Sequence, residues 1–557
     1  MTPVPDPVTP VVQDLLDRLV DDDPVLATQL GLATGMDRLP SYSPAAVADR
    51  VRWAEESAES LLALADDPAL GRGQAVDALT GRQIAQRVAR DFGLRRVHQT
   101  DPVVYLDSAF GLLLAMIKEL APVDERLAAL DGRLRALPGL LEEARANLTA
   151  ESPHLLVEMA IDYAEDISVL AGEAVRGFAE QVGRPGLLDE ASQLALNALA
   201  HHVEYLRDDL LPVAAPHAGA GREVIERVVR EEHLLAESPG EIAAYGRAMI
   251  AETGAQIEEV AAEMGHATVA EAVAAVKGDH PPADEVVSSY RRALAEARRY
   301  VVEHDLVTLP PEELTVEPTP RFLARLAPFA AYEGPGPFEA RQRGFYWVTS
   351  PRPDLSGEEL ELTLRSHPYA SMPTTGVHEA FPGHHTQFVR ANRAPTLTRR
   401  IAHVPQGGTL LIEGWAFYCE ELMEREGFLS APAVRLMRLN DQLWRACRVV
   451  IDAGLHCGDL SHDDAVDLLV TTGHLGRREA RLEVRWYAQA PGYPMSYLIG
   501  KREVVGLARD FARERTTSRK EFHDALLDWG ATTPALIRWG VGLGPRPAVS
   551  RPAGHSS

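Results

Sequence analysis

The sequence predicts a mostly α-helical protein with a small β-sheet. From Ser43 to about Val301 the chain is dominated by Ala, Leu, Glu and Arg, which are strong helix formers. Apolar residues recur there at spacings of three and four, as within Leu127–Leu137. The region Leu309–Gly357 differs, because it is rich in Pro and Gly and holds the best strand candidates of the chain.

The helical region predicts roughly eight to ten helices packed as an antiparallel array. A further helix is expected over Val11–Asp21, where Val12, Leu15, Leu16 and Leu19 form one apolar stripe. A chain of 557 residues is too long for one simple core and indicates roughly two to four lobes. We expect a helical lobe over 1–308, a metal-binding catalytic lobe over 309–543 and a disordered tail over 544–557.

The second half of the chain contains strands and loops as well as helices. Strands are expected at Leu314–Glu317 and Gly344–Thr349. The aromatic residues of the second strand, Phe345, Tyr346 and Trp347, are expected in the core of a small sheet or, alternatively, along a cleft. Ser371–Gly376 is expected to be a loop. Helices are predicted at Leu360–Arg365, Leu410–Glu426, Ala431–Ala453, His462–Thr471, Arg477–Gln489, Tyr497–Glu514 and Ser518–Trp529.

Composition narrows the class of protein. A net charge of -25 argues against nucleic acid or an anionic membrane as the main partner. The three cysteines, Cys419, Cys447 and Cys457, cannot form a disulfide framework, and we expect thiols in a reducing compartment. The N-terminus lacks the pattern of a signal peptide, and no apolar run approaches the roughly 20 residues that span a bilayer. We therefore expect a cytoplasmic protein.

One stretch, Thr374–Gln387, concentrates the chemistry of the chain. It reads TTGVHEAFPGHHTQ and holds His378, Glu379, His384 and His385. Zinc favours His nitrogen and carboxylate oxygen, and in the pattern H-E-x-x-H two His on one helical face bind the ion while the Glu acts as general base. Position 382 is Pro instead of the second His, so the motif here is H-E-x-x-P-G-H-H.

The spacing of these histidines is unsuited to a continuous helix. His384 would lie about 240° round the helix from His378, and His385 would lie about 10.5 Å further along its axis. Pro382 interrupts helical hydrogen bonding and Gly383 tolerates unusual dihedral angles, so a bulge or kink there can bring His384 back beside His378. We interpret the Pro-Gly pair as the feature that makes a metal site possible.

Four motifs together resemble a known family. They are VHEAFPGHH (Val377–His385), EGWAFYCEEL (Glu413–Leu422), DAGLH (Asp452–His456) and PGYPMSYLIG (Pro491–Gly500). With LATQLGLATGMDRL near the N-terminus, they resemble the bacterial domain-of-unknown-function family 885 over nearly the whole chain. That family in turn resembles the zinc metallopeptidases of the thimet oligopeptidase, angiotensin-converting enzyme and carboxypeptidase Taq type. The resemblance implies a two-lobed helical fold with a deep central cleft and a small sheet beside the site.

The resemblance also implies a set of metal ligands. His378, His384 and Glu413 match the ligands of one zinc ion, with Glu379 as the general base. His385 is an alternative second ligand and otherwise a candidate for substrate binding. Glu413 lies among apolar neighbours, where a buried carboxylate must be paired or metal-bound.

Other residues are assigned roles around these ligands. Tyr497, with His456, is expected to stabilise the oxyanion, because a Tyr or His donor usually serves that purpose in such sites. Tyr493 and Arg485 are expected to contact substrate. Glu420 is expected either to hydrogen-bond a ligand His or to lie on a solvated helix face.

These residues predict a zinc-dependent hydrolase that cleaves amide bonds of short peptides. Two alternatives stay open: a metal-dependent hydrolase or lyase acting on a non-peptide metabolite, and a non-catalytic binding protein on the same fold. The chain has no G-x-S-x-G nucleophile motif, P-loop or dinucleotide fingerprint.

Overall fold

The chain is mostly α-helical and contains one small sheet, as predicted from the sequence. The computed structural model describes residues 6–217, 219–319, 330–352, 355–404, 407–515 and 517–550. The expected tail over 544–557 falls partly within this range. Residues 544–550 have no regular secondary structure, and the Ser550 hydroxyl donates a hydrogen bond to Glu231. Residues 551–557 lie outside the described part.

The helices of residues 6–217 are α1 (Val8–Asp22), α2 (Pro24–Gln29), α3 (Pro44–Ala65), α4 (Arg72–Ala89), α5 (Val97–Thr100), α6 (Val103–Ala109), α7 (Gly111–Ile117), α8 (Val123–Asn147), α9 (His154–Val169), α10 (Val175–Gln181) and α11 (Asp189–Tyr205). Those that follow are α12 (Arg222–Arg227), α13 (Pro239–Glu263), α14 (Val269–Lys277), α15 (Val286–Glu303), α16 (Gly357–Leu364), α17 (Met372–Glu379), α18 (His384–Asn392), α19 (Leu397–Ile401), α20 (Thr409–Arg425), α21 (Pro432–Cys457), α22 (His462–Thr471), α23 (Arg477–Gln489), α24 (Ser496–Glu514), α25 (Arg519–Leu527) and α26 (Pro534–Gly540). Short π-helical segments continue α4, α9, α11 and α12 at Arg90–Leu94, Leu170–Ala174, Leu206–Leu210 and Val228–Glu232.

The helical region is divided more finely than the sequence predicted. Short helices such as α5, α6 and α7 occupy segments that periodicity alone would merge into longer ones. The first predicted helix is confirmed, and its apolar stripe of Val12, Leu15, Leu16 and Leu19 is buried. Ser371–Gly376, expected to be a loop, instead enters α17 at Met372. Pro373 does not oppose this, because Pro is compatible with the first turn of a helix.

The chain forms two compact units whose boundary differs from the expected one. The first unit comprises 1–220 with the short segments 336–341 and 396–398, and the second comprises 221–335, 342–395 and 399–557. This division near residue 220 differs from the lobe boundary expected after residue 308, which stays a prediction. The deep cleft implied by the resemblance stays a prediction.

Helix packing explains why α12–α15 belong to the second unit. Gly246 of α13 lies so close to α21 that an added Cβ would come 2.9 Å from the Val450 side chain. Gly376 of α17 likewise approaches Leu294 of α15, at 2.9 Å from an added Cβ. Helices that approach so closely share one core. Sequence periodicity identifies each helix but does not show which helices pack together.

The sheet lies in the second unit and has the strand order β1-β3-β2. The strands are β1 (Leu314–Pro318), β2 (Ala330–Glu333) and β3 (Gly344–Val348), with β1 parallel and β2 antiparallel to β3. The two predicted strands match β1 and β3 to within one residue at their ends, whereas β2 was not predicted. Tyr346 and Trp347 of β3 are buried, as expected of core aromatic residues.

Candidate metal centre

The focal stretch forms two helices separated by a break. Helix α17 ends at Glu379 and α18 begins at His384, so Ala380–Gly383 are not helical. The Phe381–Pro382 peptide bond is cis. The predicted kink is thus a complete interruption, and His378 and His384 occupy adjoining ends of two helices.

Gly383 allows these two helix ends to meet. Its N–H donates a hydrogen bond to the carbonyl oxygen of Val377 at 3.0 Å. A Cβ at position 383 would lie only 1.8 Å from the carbonyl oxygen of His378, a distance that no side chain can occupy. Glycine is therefore required here because the backbone of α17 approaches so closely.

Helix α20 supplies the third residue and also holds the break in place. The Trp415 indole Nε1 donates to the carbonyl oxygen of Pro382 at 2.9 Å. On the same helix, Gly414 packs directly on Gly500 of α24, since an added Cβ would lie 2.4 Å from the Gly500 carbonyl carbon. This helix crossing places Glu413 beside the break. The close backbone contact also explains why glycine occupies position 414 in the EGW sequence and position 500 in the LIG sequence.

The structure brings His378, His384 and Glu413 together in a buried group. Glu413 Oε2 lies 3.6 Å from His378 Nε2 and 3.5 Å from His384 Nε2, and the candidate ligand atoms all lie within 4.8 Å of one another. In the described residues, this is the one group of three or more His, Cys, Asp or Glu side chains arranged to hold a metal ion. Two imidazoles and one carboxylate are a ligand set typical of catalytic zinc.

The two carboxylate oxygens of Glu413 differ in their hydrogen bonding. The Tyr493 hydroxyl donates to Oε1 at 2.7 Å, whereas Oε2 is buried and has no hydrogen-bond partner in the described part of the chain. A buried carboxylate oxygen without a partner costs free energy unless a cation or donor meets it. The donor set and this unsatisfied oxygen both fit a divalent metal ion.

Glu420 orients one of the candidate ligands. Its Oε1 accepts a hydrogen bond from His378 Nδ1 at 2.7 Å, and Arg445 Nη2 lies 3.8 Å from the same oxygen. This contact leaves His378 Nε2 directed toward Glu413, as carboxylate–histidine pairs commonly do in metal sites. Of the two expectations for Glu420, the solvated helix face is excluded because the side chain is buried.

The charges of the group stabilise one another. Burial acts to lower the pKa of His378, but the nearby carboxylates of Glu413 and Glu420 outweigh it and raise that pKa to about 9. Burial acts to raise the pKa of Glu413, yet the adjacent histidines hold this pKa well below its usual range. For Glu420, burial is likewise outweighed, first by Arg445 and then by His378, and the pKa is lowered. Both carboxylates are therefore ionised at neutral pH.

Glu379 and Tyr497 border the group, and neither polar end has a hydrogen-bond partner among the described residues. Glu379 is half-buried, and no described residue hydrogen-bonds its carboxylate. The Tyr497 ring stacks on His378 with centroids 6.1 Å apart, and the Arg448 guanidinium lies 4.7 Å from the Tyr497 ring centroid. Burial raises the pKa of Tyr497, so its hydroxyl remains a proton-bearing donor.

Tyr493 takes a different position from the one expected. Its hydroxyl is occupied by Glu413 rather than directed to substrate, and its ring meets Trp486 edge-on at 5.3 Å. Arg485 lies half-buried on α23, and its expected contact with substrate stays a prediction.

His385 is held by the sheet and does not face the metal group. Its Nδ1 lies 3.1 Å from the Tyr332 hydroxyl of β2, and its Nε2 lies 3.4 Å from the carbonyl oxygen of Glu312. The side chain is fully buried, and burial lowers its pKa to about 4. These contacts favour His384 over His385 as the second ligand. They also oppose the substrate-binding role expected for His385, because both ring nitrogens already have partners.

The contacts of His456 likewise differ from those expected of a residue that stabilises the oxyanion. Its Nε2 lies 3.1 Å from the carbonyl oxygen of Tyr487 and 3.4 Å from Asp452 Oδ1, and its side chain is fully buried. These contacts join α21 to the last turn of α23. Asp452 and Trp415 were not predicted as site residues from the sequence, although both lie inside the motifs quoted above.

Comparisons with known proteins identify the family. Residues 24–541 match the family described as "Bacterial protein of unknown function (DUF885)", and the chain belongs to this family. A comparison with curated protein sequences gave no match.

Solved structures share the fold. The chain is similar to "a putative lipoprotein of unknown function from Shewanella oneidensis", with a TM-score of 0.77 and 20% identity over 95% of this chain and 98% of that one. It is also similar to "the putative lipoprotein from Colwellia psychrerythraea", with a TM-score of 0.80 and 18% identity over 96% and 98% of the two chains. A looser match, with a TM-score of 0.39 and 14% identity over 96% and 94%, is an M32 carboxypeptidase from Deinococcus radiodurans R1. The first two matches support the mostly helical fold.

No helix among the described residues is long and apolar enough to span a lipid bilayer. The cytoplasmic location expected from the sequence stays a prediction, because two structural neighbours are described as lipoproteins.

Proposed function

We propose that the protein is a zinc-dependent hydrolase that cleaves amide bonds in short peptides. The observation that carries this proposal is the unsatisfied Glu413 Oε2, which faces the Nε2 atoms of His378 and His384 at 3.6 and 3.5 Å. Nothing in the described residues neutralises that oxygen except the two imidazoles themselves. A divalent ion held by these three side chains removes the cost of burying it.

Glu379 is suited to act as the general base of the reaction. A zinc ion held there would polarise an amide carbonyl and lower the pKa of a water molecule. Glu379 directly follows His378, is half-buried, and has a carboxylate that no described residue occupies. It would take the proton of the attacking water and pass it to the leaving amine.

Tyr497 is suited to donate a hydrogen bond to the developing oxyanion. Its ring is held between His378 and Arg448, while its hydroxyl bonds no described residue. A rigid ring with an unoccupied O–H is a preorganised donor, which is the form that such stabilisation requires.

The sheet offers a means of binding an extended peptide. Strands β1 and β2 are the edges of the three-stranded sheet, and β2 contacts α18 through Tyr332 and His385. An exposed edge can pair with a peptide backbone by strand addition. Peptide binding of this kind would favour short peptides over other amides as substrates.

The test is hydrolysis of a dipeptide and tripeptide library by the zinc-loaded protein and by Glu379→Gln. We expect the wild type to cleave some members, and Glu379→Gln to bind zinc equally while turnover falls by about 10²- to 10⁴-fold. The exposed Glu358 on α16 provides a control, since Glu358→Gln should retain full activity.

Other outcomes would favour the alternatives. If the wild type cleaves no peptide but hydrolyses a non-peptide amide, and Glu379→Gln does not, the protein is better described as a metabolite hydrolase. A zinc-loaded protein that turns over neither class would favour a binding protein on the same fold.

A further inference from the structure

A buried acid–histidine pair on α21 lies outside the metal group. Asp452 and His456 are one helical turn apart, and neither side chain is exposed to solvent. His456 Nε2 lies 3.4 Å from Asp452 Oδ1 and 3.1 Å from the carbonyl oxygen of Tyr487. Buried polar side chains of this kind are maintained only where they satisfy other polar groups.

Asp452 satisfies two backbone amides of the turn between α23 and α24. Its Oδ1 accepts a hydrogen bond from the Gly492 N–H at 3.0 Å, and its Oδ2 accepts one from the Met495 N–H at 3.0 Å. Each carboxylate oxygen therefore holds one end of the segment Gly492–Met495. Burial raises the pKa of Asp452 to about 7, and the two amide hydrogen bonds oppose that rise.

The conformation of this turn is further restricted at Gly492. Its φ is +86°, and an added Cβ would lie 2.3 Å from Val228 Cγ1, so only glycine fits. Its carbonyl oxygen accepts from the Ser496 hydroxyl at 2.9 Å and lies 3.0 Å from His233 Nε2. The turn is thus held from several sides, and Asp452 bonds both of its ends.

The same turn carries Tyr493 and leads directly into the start of α24, which carries Tyr497. Tyr493 lies between the two amides that Asp452 holds, and its hydroxyl donates to Glu413 Oε1 at 2.7 Å. Tyr497 follows two residues after Met495, and its ring stacks on His378 at 6.1 Å. A shift of the turn would move both tyrosines relative to the candidate ligands.

We infer that Asp452 is a positioning residue that acts through the Gly492–Met495 turn to hold Tyr493 on Glu413 and Tyr497 beside His378. His456 supports this role by fixing the Asp452 carboxylate against the end of α23. The inference deepens the proposed function, and its zinc-affinity readout rests on that proposal.

The test is a double-mutant cycle on zinc affinity, measured by competition with a fluorescent chelator. We expect Asp452→Asn to weaken zinc binding about tenfold, in the range typical of residues that support metal ligands. Tyr493→Phe should weaken it similarly. The loss in the double variant should be smaller than the sum of the two single losses, because Asp452 acts in part through Tyr493. Additive losses, or unchanged affinity in Asp452→Asn, would overturn the inference.

Leu439→Ala is the control for a general loss of stability. Leu439 is buried on the same helix but packs with α13 and α14, away from the turn. This variant should be less stable, yet its effect on zinc affinity should be small and should not depend on Tyr493.

Hydrogen exchange separates this inference from the proposed function. Mass spectrometry of peptides covering residues 488–498 needs neither zinc nor substrate. In Asp452→Asn the Gly492 and Met495 amides should exchange at least tenfold faster, whereas Leu439→Ala should leave them protected. If the Gly492 and Met495 amides remain equally protected in Asp452→Asn, the inference is wrong even if the wild type is an active hydrolase. If Asp452→Asn loses this protection but the wild type binds no zinc, Asp452 still anchors the turn and the proposed metal-dependent function is wrong.

Discussion

At the scale of single residues, the candidate site depends on side chains that hold the ligands as much as on the ligands. Glu413 and His378 each have one atom directed to the group and another bound by a neighbour, Tyr493 or Glu420. This arrangement reduces the number of conformations that each ligand can adopt before a metal binds. The sequence motif EGWAFYCEE contains both Glu413 and Glu420, seven residues apart on α20.

The contact between Glu420 and His378 gives a direct prediction. Glu420→Gln removes the charge that raises the basicity of His378 while keeping the size of the side chain. We expect zinc affinity to fall about 10- to 100-fold with little change in fold. The measurement is competition with a zinc chelator of known affinity.

Glu424→Gln is the matched control for this prediction. Glu424 lies one turn further along α20 and pairs with Arg435 and Arg438, not with a candidate ligand. Its replacement should leave zinc affinity within about twofold. Equal losses in the two variants would show that helix charge in general, and not the contact with His378, governs binding.

The choice between His384 and His385 illustrates what the sequence could not decide. Spacing showed that neither histidine suits a continuous helix, and only a family resemblance favoured His384. The structure separates them because α18 begins at His384, which directs that ring to Glu413 and the next ring to β2. The decisive contacts come from a strand that the sequence did not predict.

At the scale of elements, the break between α17 and α18 brings the histidines together. Its presence was predictable from Pro382-Gly383, since both residues disfavour a continuous helix. Its direction was not predictable, because it depends on the hydrogen bond from Trp415, which lies 33 residues away in sequence. Local sequence thus indicated where the helix stops, and tertiary contacts determined where the chain goes next.

This close approach predicts a strong effect of Gly383→Ala. The new Cβ would meet the His378 carbonyl oxygen at 1.8 Å, so the two helix ends must separate. We expect at least tenfold weaker zinc binding together with a lower melting temperature, measured by chelator competition and calorimetry.

Gly254→Ala provides the comparison for the break. Gly254 lies within α13, and an added Cβ there would meet nothing within 4 Å. This variant should be as stable as the wild type or more stable by up to about 1 kcal/mol, with unchanged zinc affinity. A Gly383→Ala protein that behaves in the same way would contradict the role assigned to the break.

At the scale of the whole molecule, several buried histidines link stability to pH. Burial lowers the pKa to about 4 in His202, His367, His385, His403 and His523. An unfolded histidine has a pKa near 6.5, so between these values the unfolded chain binds more protons than the folded one. The stability that these neutral histidines contribute is therefore fully present above pH 6.5 and is lost as the pH decreases toward 4, by on the order of 3 kcal/mol for each fully buried histidine.

His202 offers the clearest test of this linkage. Neither of its ring nitrogens has a hydrogen-bond partner among the described residues. His202→Leu should increase stability, and the increase should be larger at pH 5 than at pH 7, as measured by urea denaturation. An equal effect at both pH values would contradict the linkage, because a purely steric gain does not depend on protons.

The organisation of the whole chain was only partly predictable. Periodicity indicated the helical class and residue types indicated β1 and β3, because both signals are local. The division near Ala220 could not be read from local sequence, because it depends on α13 packing against α21, about two hundred residues further along the chain. All three candidate ligands lie in the second unit, which is larger than the expected catalytic lobe.

The most direct test of the metal centre is elemental analysis of the purified protein by plasma mass spectrometry, before and after zinc loading. We expect about one zinc ion per chain in the wild type, in Glu379→Gln and in His385→Ala, and a loss of at least tenfold in occupancy in His384→Ala. Failure of the loaded wild type to retain any divalent ion would contradict the central claim. Equal zinc retention by His384→Ala would contradict the assignment of its ligands.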